Sequence, residues 1–349
     1  MKAAVLYGDD DIRYEEFPTP EVKPGTVKVR VMATGICGSD VPRVLAGGAH
    51  YYPIVLGHEF SGYVAEVGEG VTSVKPGDHV VGAPLIPCME CEDCKAGLYS
   101  LCKHYTFIGS RIQGSFADYL VLPEMNVVKI DENIPYEQGA LFEPCTVSLH
   151  GLKMANFKAG TTVAVVGGGT IGTFAIQWAR ILGAKKIVAF GRDKKHLELS
   201  GRLGADVLIS TLDDDYMERA MAETDGRGYD FVFEAAGTVP TIKLCFNLVA
   251  NRGTIGLIGT PVGDITFTQR EWETINRKQM FVTGSWMSGN APYPGDEWTF
   301  TGECFADGRL KYDPEVFYAK YRMADAQEAF QLYKNRSQVK GRVLLYNED

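Results

Sequence analysis

The chain has 349 residues, of which 45% are hydrophobic and 23% charged, and its formal net charge is −9. This length suits two domains better than one, and an acidic chain without a basic stripe argues against a nucleic-acid partner. No apolar run approaches the roughly 20 residues of a membrane helix, and the start, MKAAVLYGDDDIRYEE, lacks signal-peptide organisation, so we expect a cytoplasmic protein without a membrane partner.

Short β patterns broken by glycine and proline fill about the first 145 residues. Examples are TVKVRVMATGIC, GYVAEVGEGV and GDHVVGAPL, which together predict an irregular, mostly β domain. Two stretches of this region carry side chains that bind metals. GICGSD contains Cys37, and VLGHEFSG contains His58 and Glu59, although each residue alone is more typical of a packed or structural position.

Four of the eight cysteines form the pattern C-x2-C-x2-C-x7-C, and these are Cys88, Cys91, Cys94 and Cys102. In a reducing compartment such a cluster favours a metal over disulfides. Four thiolates complete a tetrahedral zinc shell without a free position, so we expect a structural zinc. The long last gap and the acidic local sequence favour zinc over the alternatives, an iron–sulfur cluster or redox disulfides.

A second, catalytic zinc site requires a third residue beside Cys37 and His58. In ALFEPCTVSLHG, Glu143 lies where the mostly β region ends. Cys, His and Glu together make three ligands, which leaves a fourth zinc position open for water or substrate. We therefore predict Glu143 as the third ligand. Glu59 is a rival third ligand or a supporting group, and Glu143 could instead be a carboxylate at a helix start.

From about Thr161 strands alternate with helices, which predicts parallel βαβ units in an α/β domain. The predicted strands are TTVAVVGGG, KKIVAF, DVLIS, DFVFEAAG and GTIGLIG, and the predicted helices include TIGTFAIQWARILGA and KKHLELSGRLGA. After about Met280 the chain is irregular, with SGNAPYPGDEW. It closes with a helical segment, MADAQEAFQLYKNRS, and a strand, GRVLLY.

A dinucleotide fingerprint, G-x-G-x-x-G, follows the first of these strands as Gly167, Gly169 and Gly172. The first glycine permits a tight turn, the second lets the backbone approach a pyrophosphate, and the third lets helix and strand pack closely. The following helix offers unpaired N–H groups to the phosphates. The alternative is a glycine-rich turn in an ordinary α/β domain.

The tip of the second strand indicates which dinucleotide binds. An acidic residue there accepts hydrogen bonds from the adenosine ribose and repels a 2′-phosphate, but this chain has Gly191 followed by Arg192. A guanidinium suits phosphate recognition, and Lys194 or Lys195 could add charge, so we predict a preference for NADP(H) over NAD(H). The alternative is a solvated helix start with Asp193 as its N-cap.

Taken in order, GICGSD, GHEFSG, KPGDHV, the four-cysteine lobe, FEP and GGGTIG resemble the zinc-containing medium-chain alcohol and polyol dehydrogenases over essentially the whole chain. The resemblance implies an α/β fold with a GroES-like β catalytic domain, residues 1–147 and 282–349 with the zinc lobe 88–102, and a Rossmann doubly wound parallel sheet, residues 148–281. It implies two zinc ions per subunit, and glutamate as a catalytic ligand resembles the sorbitol dehydrogenase branch.

GGAHYYPIVLGHEFSG, FIGSRIQGSFADY and TGSWMSGNAPYPGDEW are similar to the galactitol-1-phosphate 5-dehydrogenases, which implies a polyol phosphate substrate and a ketose phosphate product of the tagatose 6-phosphate type. Two departures matter. Pro42 stands where many family members have a histidine that relays a proton, and Gly191 replaces an acidic residue usual in NAD-linked members.

The resemblance implies that Ser39 takes the proton of a zinc-bound hydroxyl while hydride moves to the nicotinamide. We expect further cofactor contacts from Thr170, Ile171, Ala235, Ile258 and Ser285, and a homodimer or homotetramer. Substrate contacts are expected from His50, Arg111, Trp286 and Asn290. The alternatives are a broader sorbitol-dehydrogenase-like polyol dehydrogenase or ketone reductase, and a zinc-stabilised nucleotide-sensing binding protein without turnover.

Overall fold

The computed structural model of the chain describes residues 1–261, 263–335 and 338–348. These residues divide into two compact units. The first comprises residues 1–146, 288–308 and the C-terminal part from Tyr312, and the second comprises residues 147–287 with 309–311. The boundaries expected from the sequence, after 147 and after 281, remain our proposal for the functional domains.

The first unit is built mainly from short antiparallel strands. Its first ten strands are β1 (Lys2–Gly8), β2 (Asp11–Glu16), β3 (Thr26–Ile36), β4 (Ile54–Val55), β5 (Glu59–Val67), β6 (His79–Gly82), β7 (Leu85–Ile86), β8 (Thr106–Phe107), β9 (Tyr119–Pro123) and β10 (Val127–Lys129). The helices among and after them are α1 (Asp40–Leu45), α2 (Glu92–Lys95), α3 (Tyr136–Gly139) and α4 (Phe142–Met154), which continues into the second unit.

The second unit alternates strands and helices, as the sequence predicts. Its elements are β11 (Thr162–Val166), α5 (Thr170–Ile181), β12 (Lys186–Gly191), α6 (Lys194–Arg202), β13 (Val207–Ser210), α7 (Tyr216–Ala222), β14 (Tyr229–Glu234), α8 (Val239–Leu248), β15 (Val249–Leu257), α9 (Gln269–Lys278) and β16 (Phe281–Gly284). The strand order is β13-β12-β11-β14-β15-β16, with all neighbours parallel. The strand order reverses between β11 and β14, where such sheets bind ligands at the carboxyl ends of the strands.

The C-terminal part returns to the first unit with α10 (Asp296–Ala306), β17 (Phe317–Arg322), α11 (Ala326–Gln331) and β18 (Arg342–Tyr346). β18 pairs antiparallel with β3, the long central strand, which also pairs with β5. The sheet order is therefore β10-β6-β5-β3-β18-β17, with β9 also paired to β3. This arrangement brings the end of β3, the start of β5 and the start of β18 together.

Each unit has its own apolar core. In the first unit the inward residues of β1 and β18 pack with α11 and with Phe116. In the second, the strands β11, β12 and β14 bury continuous apolar runs, as expected for a parallel sheet covered on both faces. The mixed α/β architecture with a doubly wound parallel sheet confirms the predicted fold class.

Two predicted elements differ from the structure. SGNAPYPGDEW was predicted to be irregular, but α10 begins at Asp296 inside it. Of the predicted helix MADAQEAFQLYKNRS only Ala326–Gln331 is α-helical, with 3-10 turns at 323–325 and 332–335, and its last two residues, 336 and 337, lie outside the described residues. Among the described helices, none combines the length and the apolar character needed to cross a bilayer.

Candidate active site

Cys37, His58 and Glu59 each offer one ligand atom, and these three atoms lie within 4.8 Å of one another. Cys37 directly follows β3, and His58 and Glu59 stand at the start of β5. The two strands are paired in a register that sets Gly35 opposite Glu59. Strand pairing thus gathers a thiol, an imidazole and a carboxylate, the donor types that zinc accepts.

The Glu59 carboxylate is buried and is held by one cation. Glu59 is 1% exposed, and its Oε1 lies 3.2 Å from Nη2 of Arg342, the first residue of β18. Within the described part of the chain, neither carboxylate oxygen has a hydrogen-bond partner. A buried carboxylate that uses so little of its acceptor capacity fits a metal ligand.

Asp40 bonds to the Cys37 backbone and lies near the His58 ring. It is fully buried, its Oδ2 accepts a hydrogen bond from the Cys37 N–H at 3.1 Å, and its Oδ1 lies 3.6 Å from His58 Nδ1. His58 Nδ1 has no hydrogen-bond partner among the described residues, so Asp40 lies beside the ring without a hydrogen bond to it. The sequence analysis missed this role, although Asp40 in GICGSD was the available signal.

Glu143, predicted as the third ligand, lies outside the group of three. It is the second residue of α4, its carboxylate is removed from most of the solvent, and it interacts electrostatically with Glu59, His58 and Cys37. Burial, and after it the negative charge of Glu59, raises the pKa of Glu143 to about 8. Glu143 is therefore near the metal group, and its direct ligation stays a prediction.

The donor set itself is suited to a divalent cation. Burial, followed by the charge of Glu59, raises the pKa of the Cys37 thiol to about 11. Desolvated anionic groups crowded together favour their neutral forms, and a bound dication reverses that preference by stabilising the thiolate and carboxylates. The residues present thus fit a zinc ion in this position.

The four cysteines of the lobe form the second group with metal-ligand geometry. Sγ of Cys88 lies 3.9 Å from that of Cys94, and Sγ of Cys91 lies 3.9 Å from that of Cys102. Thiolates bonded to zinc at about 2.3 Å stand about 3.8 Å apart in a tetrahedron. All four cysteines are free of disulfides, and backbone N–H groups, chiefly that of Cys94, lower the pKa of Cys91 to about 6. The lobe fits a structural zinc.

In the second unit, the glycine turn has the geometry that a pyrophosphate cradle needs. Gly167 adopts a φ of +113°, and a Cβ at Gly172 would collide with the Gly167 carbonyl. A Cβ at Gly169 would meet no atom within 4 Å, so the space beside it is open. The turn ends at the start of α5, where Thr170 and Ile171 present helix N-terminal N–H groups.

At the tip of β12, Gly191 is the last strand residue and Arg192 follows it exposed. Arg192 makes no hydrogen bond or ion pair with any described residue. Asp193 is the N-cap of α6 and accepts a hydrogen bond from the His196 N–H at 3.1 Å. Lys195 is exposed in the first turn of that helix. Asp193 therefore caps α6, and this cap leaves the Arg192 guanidinium available to a ligand.

Three other predicted cofactor residues follow the carboxyl ends of parallel strands. Ala235 follows β14, Ile258 follows β15 and Ser285 follows β16. The Ser285 Oγ is buried and has no hydrogen-bond partner among the described residues, so it is open to a ligand.

Glu234, which the sequence analysis missed, shapes the same edge of the sheet. It is fully buried at the end of β14 and accepts hydrogen bonds from the N–H groups of Ala236 and Gly237 at 3.0 and 2.9 Å, and from the Thr241 hydroxyl at 2.8 Å. A carboxylate that ends a buried strand before Ala-Ala-Gly was the available signal. It fixes the turn that carries Ala235.

Among the predicted substrate residues, Arg111 belongs to a turn that packs against the segment carrying His58. It belongs to the turn after β8 and donates its backbone N–H to Phe107, whose ring packs edge-on against His58 with centroids 5.3 Å apart. The turn is pressed onto the segment before His58, because a Cβ at Gly109 would collide with the Gly57 carbonyl. The exposed Arg111 guanidinium lies over the Tyr105 ring, 4.3 Å from its centroid.

The other three predicted substrate residues are placed differently. His50 is exposed on the loop between α1 and β4. Asn290 Nδ2 donates to the buried carboxylate of Glu297 at 2.6 Å, so part of its amide is used to fix the loop before α10. Trp286, in the second unit, is 54% exposed.

Known proteins resemble the chain in both sequence and structure. Residues 23–132 match the family described as Alcohol dehydrogenase GroES-like domain, and residues 170–300 match Zinc-binding dehydrogenase. Galactitol 1-phosphate 5-dehydrogenase of Escherichia coli (strain K12) is 37% identical over 346 residues, which are 99% of each chain.

Solved structures agree with the sequence matches. The crystal structure of galactitol-1-phosphate dehydrogenase from Escherichia coli superposes with a TM-score of 0.93 at 36% identity, covering 99% of this chain and 100% of that one. A zinc-binding dehydrogenase from Sinorhizobium meliloti 1021, bound to NADP, superposes with a TM-score of 0.87 at 29% identity over 99% and 98% of the two chains.

Proposed function

Because the chain belongs to the zinc-binding, medium-chain alcohol dehydrogenase family, we propose that it transfers hydride between a nicotinamide dinucleotide and a polyol phosphate/ketose phosphate pair. The substrate is of the galactitol 1-phosphate/tagatose 6-phosphate type. The observation that carries the proposal is the Arg111 turn packed directly onto the segment that carries the metal group of Cys37, His58 and Glu59.

Cys37, His58 and Glu59 are the residues that would hold a catalytic zinc, with Glu143 as the nearby carboxylate that could join or replace one of them. Zinc supplies Lewis acidity, which lowers the pKa of a bound alcohol and polarises a bound ketone. Asp40 holds the Cys37 backbone and places a negative charge 3.6 Å from His58 Nδ1, and Arg342 compensates the buried charge of Glu59. The Cys88, Cys91, Cys94 and Cys102 lobe would hold a second, structural zinc.

Ser39 is the residue that would exchange the proton of the substrate hydroxyl. It follows Cys37 by two residues, is exposed, and donates its backbone N–H toward the Cys37 Sγ at 3.5 Å. Its hydroxyl makes no side-chain cap to α1 and accepts one hydrogen bond, from Arg43 Nη1 at 3.1 Å, so its own hydrogen remains available to a substrate. In the oxidative direction Ser39 accepts the hydroxyl proton and passes its own to solvent, and in the reductive direction the path is reversed.

The phosphate of the substrate would bind Arg111. The guanidinium is exposed, lies over the Tyr105 ring and donates only to Tyr105 among the described residues, at 3.3 and 3.4 Å. It therefore retains donors for a phosphate while its stem is fixed by the ring beneath. His50 and Asn290 are proposed as further contacts from the first unit, and Trp286 as one from the second.

NADP(H) is the proposed cofactor. Gly167, Gly169 and Gly172 would cradle its pyrophosphate, and the Arg192 guanidinium would bind the 2′-phosphate that no acidic residue at Gly191 repels. The cofactor supplies the hydride in reduction and accepts it in oxidation. Ser285, with its unsatisfied buried hydroxyl, would bind the nicotinamide end.

A homo-oligomer is supported by the edge strand of the parallel sheet. β16 is the last strand of that sheet, and its residues Phe281 and Val282 are 59% and 40% exposed. A bare apolar edge strand is unusual on a lone monomer and pairs readily with a second chain.

A steady-state comparison tests the proposed substrate class. Ketohexose 6-phosphates and the same ketoses without phosphate are reduced with NADPH and with NADH, and kcat/KM is compared. The proposal predicts at least about a 100-fold preference for the phosphorylated ketose, since a charge-assisted phosphate contact is worth about 1.5–3 kcal/mol per bond. Equal kcat/KM for both forms would instead favour the broader polyol dehydrogenase or ketone reductase.

A further inference from the structure

Arg43 lies one helical turn after Ser39 and contacts it directly. Its Nη1 donates to the Ser39 Oγ at 3.1 Å and to the Asp40 Oδ1 at 3.0 Å. Residues three and four apart lie on one face of a helix, so the spacing Ser-Asp-x-x-Arg places the guanidinium beside both side chains. The same Arg43 nitrogen therefore bonds to Ser39, the residue proposed to exchange the substrate proton, and to Asp40, the carboxylate that holds the Cys37 backbone.

The guanidinium is held in a fixed position. Asp40 is fully buried and bonded to the Cys37 backbone, and the Arg43 side chain is only 18% exposed. Helix α1, which carries Asp40 and Arg43, packs against the apolar core of the first unit through Val44, which is completely buried. Arg43 thus compensates the charge of Asp40 while its orientation relative to Ser39 is set by the fold.

The neighbouring position cannot supply this contact. Pro42 has no side-chain donor or acceptor. Arginine stays protonated at any working pH, so Arg43 does not itself carry the substrate proton. It can, however, occupy one lone pair of the Ser39 oxygen, which directs the hydroxyl hydrogen and the other lone pair away from the guanidinium.

We infer that Arg43 is a positioning residue that orients the Ser39 hydroxyl for proton exchange with the substrate. The inference rests on the proposed function, in that it requires Ser39 to act on the substrate oxygen. The inference goes beyond the proposed function because it assigns the orientation of the Ser39 hydroxyl to Arg43, which contacts neither the substrate nor the metal. Arg43 acts on turnover through Ser39 alone, and on the fold through Asp40.

A double-mutant cycle on the full-length, zinc-loaded protein separates these two actions. The variants are Arg43→Met, Ser39→Ala and the pair together, each assayed for kcat and KM with whichever polyol or ketose the parent turns over, and for zinc per chain. We expect each single change to lower kcat ~10-fold or more with KM changed less than ~2-fold, since proton transfer contributes about 100-fold or more. The double variant should be no more than ~2-fold slower than Ser39→Ala.

A control variant and a second background distinguish an effect of Arg43 on Ser39 from a general loss of zinc or stability. Arg322→Met removes another arginine paired three residues from an aspartate and should leave kcat unchanged. If Arg43→Met does not retain zinc, the cycle is run in an Asp40→Asn background, where no buried carboxylate requires the cation. Effects on kcat that multiply in the double variant overturn the inference and leave the role of Ser39 intact. A Ser39→Ala variant with unchanged kcat overturns both.

Discussion

A methyl group at Gly35 would collide with the Oε2 atom of Glu59, so the missing side chain of Gly35 is what gives the Glu59 carboxylate its place beside Cys37. The two residues face each other across β3 and β5. The carboxylate cannot simply move aside, because Arg342 holds its other oxygen and the Arg342 Cδ lies 3.5 Å from the same added atom. A glycine in a strand interior thus marks a close approach at the metal group.

We predict that Gly35→Ala removes the catalytic zinc and spares the structural one. Displacing Glu59 should weaken binding at this site about 10- to 100-fold, the range seen when groups that orient ligands are lost, and activity should fall with it. Zinc per chain after dialysis is the measurement. Gly8→Ala, in strand β1 where an added Cβ meets nothing within 4 Å, is the matched control. A Gly35→Ala protein with full zinc and full activity would contradict this reading of the pair.

Glu59 and Glu143 can be separated as ligands by neutral substitutions. Because Glu59 lies in the group of three and Glu143 lies outside it, we expect Glu59→Gln to lose zinc and Glu143→Gln to retain it. Zinc titration of the two purified variants, with melting temperatures to verify folding, is the check. The reverse order of affinities would establish Glu143 as the ligand, as the sequence predicted.

The proposed preference for NADP(H) rests on Arg192. We predict that Arg192→Ala raises the KM for NADPH ~10- to 100-fold and leaves the KM for NADH within ~2-fold, because only NADPH has the 2′-phosphate that the guanidinium would contact. NADH serves as the internal control. Gly191→Asp should shift the preference further toward NADH, and its Cβ would meet only the flexible Leu197 side chain, at 3.3 Å. Equal losses with both cofactors, or a parent that prefers NADH, would refute the assignment.

The start of α9 gives a pH-dependent contribution to stability. The Thr268 N–H, followed by the Lys243 ammonium, holds the pKa of Glu271 at about 2, below its ordinary 4.5. A depressed carboxylate pKa stabilises the fold above pH 4.5, and that contribution is lost as the pH falls from 4.5 toward 2.

Glu271→Gln keeps a capping acceptor but has no charge to lose. The fall in melting temperature between pH 6 and pH 3 should therefore be smaller in this variant than in the parent. Glu273→Gln, on the same helix and paired with exposed Arg277, is the control and should follow the parent. An identical fall in the parent and in Glu271→Gln would contradict the prediction.

Features carried by local spacing could be predicted from the sequence. The cysteine lobe and the Gly167, Gly169 and Gly172 turn need only a few consecutive residues, and strand–helix alternation predicted the parallel sheet. The start of α10 could not be predicted, because its N-cap is Gly295 at a φ of +118° with no side-chain cap, so the usual signal is missing.

The composition of the metal group depends on pairing between distant strands. Glu59 stands beside Cys37 only because β3 and β5 share one register and because Gly35 leaves room, and neither fact is visible in the separate motifs. Arg342 lies 283 residues after Glu59 in the chain, and its contact with Glu59 depends on β18 returning to β3. Local patterns therefore named the candidate ligands, and strand pairing brings three of them, Cys37, His58 and Glu59, together.

We propose that the Cys37, His58 and Glu59 group holds the zinc that makes this chain a polyol-phosphate dehydrogenase. The most direct measurement is the reduction of a ketohexose 6-phosphate by NADPH before chelation, after mild chelation and after zinc is restored, with zinc per chain determined each time. We predict that turnover falls at least ~100-fold as zinc falls from about two to about one per chain, and that it returns with added zinc. Unchanged turnover at one zinc or fewer, or no turnover of any ketose phosphate at two, would contradict the claim.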